Sequence, residues 1–314
     1  MANWRRTIKN SLDRGSTSIF WGESLSKHTT FSIGGQAECF IIVNSKMTLK
    51  KIIKIANDEK IDLFVIGNGS NLLISDQGLK GIIIKLGENF SYATVNNDLM
   101  SVGTAMPLPK LVKFALSKSL SGLEFLWGIP GTFGGAVISN AGAFSQNIGS
   151  IVKDIHGIMP TGKEITLSGS QLKFEYRKTY LPDSFIITNG SVNLIPDTKQ
   201  NINKKMESYK QKRNVSQPRG LSAGSVFKNP IAIPAGKIID ECRLKGLKCK
   251  DAFISEKHGN FIVNKKDAQF RDVYELMQII KSTVEIKTGT ILEEEIQILP
   301  KIQEVSKWQK QKSC

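Results

Sequence analysis

Gly128-Ile129-Pro130-Gly131-Thr132-Phe133-Gly134-Gly135-Ala136-Val137-Ile138-Ser139-Asn140-Ala141-Gly142-Ala143 interrupts a chain of otherwise regular hydrophobic patterning. Six of these sixteen residues are Gly or Pro, yet apolar residues are threaded between them. A flexible linker would be polar. Small residues let main chain touch a flat ring or a pyrophosphate, so the stretch reads as tightly turned backbone wrapped on a ligand. A tight loop between regular elements is the alternative.

Toward the N-terminus, residues 39–43 and 63–66 read as strands, and 48–58 as a helix with Leu49, Ile52, Ile53 and Ile55 inward. The second strand runs into Gly67-Asn68-Gly69-Ser70-Asn71. Its glycines permit positive φ, so consecutive N–H groups can form an anion-binding concavity. The turn lacks the third glycine and following helix of a Rossmann fingerprint, and the Gly-Lys-Ser/Thr of a Walker loop. Taken alone, it reads first as a hairpin turn. Strands are also expected at 72–74, 81–86 and 99–103, then a helix at 107–120. Beyond the glycine-rich stretch, strands are expected near 151–159 and 184–194, and a polar helix over 198–213. A helix over 267–287 places Phe270, Val273, Met277, Ile280 and Val284 on one stripe, with Asp267 capping its start and Gly289 its end. A last strand is expected at 295–299. The interleaving predicts an α+β fold.

Composition narrows the function. At 314 residues, with 40% hydrophobic and 23% charged residues, the chain can form two or three units with their own cores. No run approaches the roughly 20 apolar residues of a membrane-spanning helix, and no apolar run follows Arg5 and Arg6, so no secretory signal is expected. The cytoplasm is the expected compartment. Four dispersed cysteines and three separated histidines predict neither a disulfide framework nor a metal site. A net charge of +15 suits anionic partners. It suits equally a lysine-rich surface from an AT-rich genome. No aromatic-and-basic RNA motif or Cys/His finger is present, so no nucleic-acid partner is expected.

With both glycine-rich segments in view, the chain resembles the UDP-N-acetylenolpyruvoylglucosamine reductase family, flavoenzymes that complete UDP-N-acetylmuramate in peptidoglycan precursor synthesis. The resemblance runs from about Thr30 to Leu299. Its pieces are Thr30-Phe31-Ser32-Ile33-Gly34-Gly35, the Gly-Asn-Gly-Ser-Asn turn, and Leu123-Glu124-Phe125 running into Gly-Ile-Pro-Gly. Tyr176-Arg177, Gly224-Ser225-Val226-Phe227-Lys228-Asn229-Pro230, Ser255-Glu256-Lys257-His258 and Leu292-Glu293-Glu294-Glu295-Ile296 follow. Each is ordinary alone; their order and spacing are specific. The short linker between the Lys-Asn-Pro and Ser-Glu-Lys-His segments resembles the subgroup without a substrate-covering tyrosine insertion. Lys250-Asp251 stands where many members have paired glycines.

The resemblance implies an FAD-binding fold of the p-cresol methylhydroxylase type, in two subdomains (about 21–86 and 87–197), with an α+β substrate-binding domain over 198–300. Residues 1–20 would be an N-terminal extension and 301–314 a basic tail. It further implies non-covalent FAD, NADPH as reductant, a UDP-sugar substrate and a monomer. Gly67, Asn68, Gly69, Ser70 and Asn71 would cradle the FAD pyrophosphate. Ile129, Pro130, Gly131, Gly134, Gly135, Asn140, Ala141, Gly142 and Ala143 would line the flavin. Lys228 and Asn229 would meet the substrate diphosphate, and Arg177, Ser225 and Glu295 match the catalytic positions. The rival readings are another flavin oxidase or dehydrogenase of the same fold acting on an alcohol or lactone, and a non-catalytic nucleotide- or nucleic-acid-binding protein.

An enolpyruvyl ether that takes hydride at its terminal vinyl carbon develops charge through C2 into the carboxylate, and such charge needs preorganised donors. A guanidinium at Arg177 can grip a carboxylate with two bonds; its bland reading is a surface ion pair with Asp183 or Glu175. Glu295 helps only if protonated or if it orients a donor; by composition it is a solvated carboxylate. Ser225 would protonate C2, and otherwise is a turn serine. His258 is assigned no role.

Overall fold

The computed structural model describes residues 3–12, 15 and 17–300; the expected basic tail, 301–314, lies outside them. Two compact units are distinguished. Of the described residues, the first takes those within 1–21, 39–67 and 81–213, and the second those within 22–38, 68–80 and 214–300.

The first unit is built on two larger sheets. One has the strand order Thr17–Ser24, Gln36–Val43, Leu79–Leu86, Leu63–Ile66, the last two parallel. Alternation along Gln36–Val43 sends Cys39, Ile41 and Val43 to the same core as Ile82 and Ile84. Helices α1 (Asn3–Ser11) and α2 (Lys46–Asp58) cover that core with Trp4, Ile8, Leu49, Ile52 and Ile53. Residues 3–12 are therefore packed structure, although the sequence reading set them apart as an extension. Ser45 caps α2, its side chain accepting from the Thr48 N–H.

The second sheet is antiparallel, in the order Glu164–Ser168, Val152–Ile158, Ile186–Asn193, Leu99–Gly103, Ala93–Asn96. Helices α3 (Leu108–Ser117), α4 (Phe133–Ile138) and α5 (Lys199–Ser216) contribute to its core through Leu111, Val112, Phe133, Val137, Ile202 and Met206. Helix α5 thus buries Ile202 and Met206 in the first unit, whereas the sequence reading grouped the helix with the C-terminal domain.

In the second unit, α6 (Ala235–Glu241), the strands Ala252–Ile254 and Ile262–Asn264, and α7 (Phe270–Thr288) enclose a core with Phe31, Ile33 and Leu73. The strand Gln297–Leu299 pairs in parallel with Leu72–Ile74. The α7 stripe expected from sequence is buried, and Gly289 ends the helix in the left-handed region at φ 69°. The start differs. Gln269, not Asp267, is the N-cap, its N–H bonded to Asp272 at 3.0 Å, while Asp76 accepts from the Phe270 N–H at 2.9 Å. A long-range carboxylate takes the donor that a local cap would have served.

Candidate active site

The turn at 67–71 begins where Leu63–Ile66 ends. Gly67 lies against Thr132, whose Oγ1 would sit 2.6 Å from a Cβ there. Gly69 has φ 62°, and a Cβ would come within 2.1 Å of the His28 carbonyl oxygen. Its own carbonyl accepts from the Thr30 N–H. Glycine is required at that position by both conformation and space. Ser70 is half-buried, and its amide and hydroxyl make no hydrogen bond among the described residues.

Within the glycine-rich stretch the chain forms an unexpected short helix. Gly134 donates to the Thr104 carbonyl and Phe133 to that of Met106, both at 2.9 Å. A Cβ on Gly134 would strike Thr104 Oγ1 at 1.9 Å. Thr132 then caps α4 through the Gly135 N–H. Asn140, at φ 42° and buried, donates through Nδ2 to the Glu175 carbonyl (2.8 Å) and accepts from the Gly149 N–H (3.0 Å). Its side chain therefore shapes the segment and joins it to the hairpin carrying Arg177.

That hairpin pairs Lys173–Glu175 with Lys178–Tyr180, leaving Tyr176 and Arg177 as its two-residue tip. Arg177 has φ 58°, an uncommon conformation for a side chain of its size. Its guanidinium lies 5.1 Å from the Tyr176 ring centroid. The Glu175 carboxylate takes bonds from Tyr180 (2.8 Å) and Lys173 (3.0 Å), which hold its pKa below the usual carboxylate range.

In the second unit, Ser225, Glu295 and Asn71 come together on adjacent extended segments. The Glu295 N–H donates to the Val226 carbonyl at 2.8 Å. Asn71 clips the far side of the same segment, donating through Nδ2 to the Glu295 carbonyl (3.1 Å) and accepting from the Gln297 N–H (2.9 Å). Of the acidic run, Glu293 pairs with Lys228 at 3.0 Å and Glu294 with Lys281 at 2.7 Å. Glu295 is half-buried between the two strand partners. Gly224 precedes Ser225 at φ 78°, and a Cβ there would meet no heavy atom within 4 Å.

One residue holding this arrangement escaped the sequence reading. Asn260, 2% exposed, accepts from the Phe227 N–H (2.9 Å) and donates to the Phe227 carbonyl (2.7 Å), while its own carbonyl takes the Val226 N–H. It fixes the segment on which Ser225 sits. It lies two residues beyond the Ser255–His258 segment, where its residue type alone marks nothing. His258 supports it, accepting from the Asn260 N–H through Nδ1. Burial, with Lys245 nearby, holds that imidazole below its ordinary pKa. Asn229 accepts from the Ala235 N–H, the first of α6, at 3.1 Å.

Residues 37–168 match the FAD binding domain family, and residues 217–299 match the family described as UDP-N-acetylenolpyruvoylglucosamine reductase, C-terminal domain. The chain is 37% identical to the UDP-N-acetylenolpyruvoylglucosamine reductase of Clostridioides difficile, over 88% of its own length and 92% of the relative's. Against the enzyme of that name from Halalkalibacterium halodurans the identity is 38%, over 88% and 93%. The crystal structure of UDP-N-acetylenolpyruvylglucosamine reductase from Thermus caldophilus aligns with a TM-score of 0.79 and 35% identity, covering 90% of this chain and 99% of that one. Similarity of that extent runs through both the FAD-binding and the C-terminal segments, and the chain belongs to the UDP-N-acetylenolpyruvoylglucosamine reductase family.

Proposed function

We infer that the chain is an FAD-dependent enzyme that uses NADPH to reduce the enolpyruvyl group of UDP-N-acetylglucosamine-enolpyruvate, giving UDP-N-acetylmuramate for peptidoglycan precursors. This reading places the enzyme in the cytoplasm, acting as a monomer. The observation that carries it is the convergence of Ser225 and Glu295 on strands clipped by Asn71 and Asn260, in a chain of this family.

The residues fit FAD. The unpartnered Ser70 donors and the positive-φ Gly69 suit a pyrophosphate, and the close-packed main chain at 131–135 suits a flat ring. FAD, when bound there, would supply the hydride-transfer chemistry between NADPH and the vinyl carbon. Ser225 would supply the proton to C2. A hydroxyl is a weak acid, but a carbanion-like centre is basic enough to take its proton. Arg177 would hold the substrate carboxylate as charge builds on it. Glu295 would serve as a protonated donor or orient one. Lys228 would exchange its Glu293 partner for the substrate diphosphate, beside Asn229.

Steady-state oxidation of NADPH with the enolpyruvyl substrate tests these roles. Arg177→Lys keeps the charge and loses the planar fork, so kcat should fall roughly 10²-fold. Lys228→Ala should raise KM for the UDP-sugar about tenfold with little change in kcat. Turnover of alcohols or lactones without the UDP-sugar would place the chain with other flavoenzymes instead.

A further inference from the structure

Helix α5 carries Lys205, Tyr209 and Arg213 at successive four-residue steps, so their side chains form one stripe. The first end of that stripe holds the chain ahead of the glycine-rich stretch. Lys205 Nζ lies 2.9 Å from Ser121 Oγ and 3.8 Å from Glu124. Glu124 is buried and accepts from the Ser121 hydroxyl (2.6 Å) and the Gly122 N–H (2.7 Å). At the other end, Arg213 Nε donates to the Trp127 carbonyl (3.1 Å) and Nη2 to that of Phe125 (2.9 Å). Its aliphatic stem runs under Gly128, where a Cβ would fall 3.2 Å from Arg213 Cδ.

The same stripe holds the chain as it leaves the stretch. Phe144, at φ 55°, stacks on Tyr209 with centroids 4.6 Å apart and an interplanar angle of 16°. Arg213 covers the Phe144 ring at 5.1 Å. Among the described residues Arg213 has no carboxylate partner, and its charge is met by two carbonyls and a ring face. Those carbonyls end a tight turn over Glu124–Leu126. A planar fork reaches both from two nitrogens held at fixed spacing, whereas an ammonium has all its donors on one nitrogen.

We propose that Arg213 is a positioning residue that fixes both flanks of the flavin-lining segment 128–143, with Lys205 and Tyr209 as its partners on α5. The proposal rests on the flavoenzyme reading above. It assigns α5 to setting the spacing between Trp127 and Phe144, and hence the path of the intervening main chain.

Full-length Arg213→Lys, Arg213→Ala and Met206→Ala are compared with wild type. Met206→Ala weakens the buried face of α5 and leaves the Arg213 bonds to Phe125 and Trp127 and the Tyr209–Phe144 stack in place. FAD affinity is read by quenching of flavin fluorescence, and fold stability by the melting midpoint of the FAD-free protein. Arg213→Lys should weaken FAD binding at least about tenfold, the scale of one lost charge-assisted hydrogen bond. Its midpoint should fall by no more than about 4 °C. Arg213→Ala should weaken binding further, while Met206→Ala should lower the midpoint and leave FAD affinity unchanged. Unchanged FAD affinity in both Arg213 variants overturns the proposal. So does a loss of affinity in all three that simply tracks the midpoint. A wild-type protein that binds no FAD defeats the flavoenzyme reading itself, and the proposal with it.

Discussion

Ser225→Ala should leave NADPH-driven bleaching of the flavin intact while turnover of the enolpyruvyl substrate falls roughly 10²–10⁴-fold, the scale of a lost general acid. The two half-reactions separate because only the second needs a proton at C2. The substitution removes one hydroxyl from a half-buried position and leaves the strand untouched, since Val226 and Phe227 bond Asn260 and Glu295 through their main chain. Stopped-flow absorbance of the flavin, first with NADPH and then with substrate, reads both steps. Equal loss in the two would make Ser225 a structural residue.

Gly69→Val should purify without FAD. The new Cβ would need to lie 2.1 Å from the His28 carbonyl oxygen, and a β-branched residue resists φ 62°. Strain and overpacking together should cost roughly 2–5 kcal/mol of stability, seen in urea unfolding. The turn must move for the side chain to fit, and the donors proposed for the pyrophosphate would move with it. Flavin retained at wild-type occupancy would show that 67–71 does not hold the cofactor.

Much of this fold was legible wherever an apolar run stood between glycines. The strands Leu63–Ile66, Leu72–Ile74 and Leu99–Gly103 fall where the sequence places them: the first is a continuous apolar run stopped by a glycine turn, the second is buried throughout, and the third alternates. Helix α4 was not legible. Two of its six residues are glycine, which disfavours helix locally, and its geometry comes from the Thr132 cap and the packing of Gly134 on Thr104. The start of α7 was misplaced for a related reason, since its first free N–H is met by Asp76, 194 residues away.

The candidate site shows the same division. Composition reads the 293–295 run as solvated carboxylates. The structure neutralises Glu293 and Glu294 with lysines 65 and 13 residues away, and leaves Glu295 between two strand partners. Nothing local distinguishes the third carboxylate from the first two; only order and spacing across the chain did. Asn260 was missed because a single asparagine after His-Gly carries no periodic or spacing signal.

The central claim is that one flavin passes reducing equivalents from NADPH to an enolpyruvyl UDP-sugar. It is tested most directly by the visible absorption spectrum of the purified protein, taken under nitrogen in two steps. The protein should be yellow, bleach on addition of NADPH, and regain its colour when UDP-N-acetylglucosamine-enolpyruvate is added. A colourless protein, or a reduced flavin that the enolpyruvyl substrate does not reoxidise, would contradict the account.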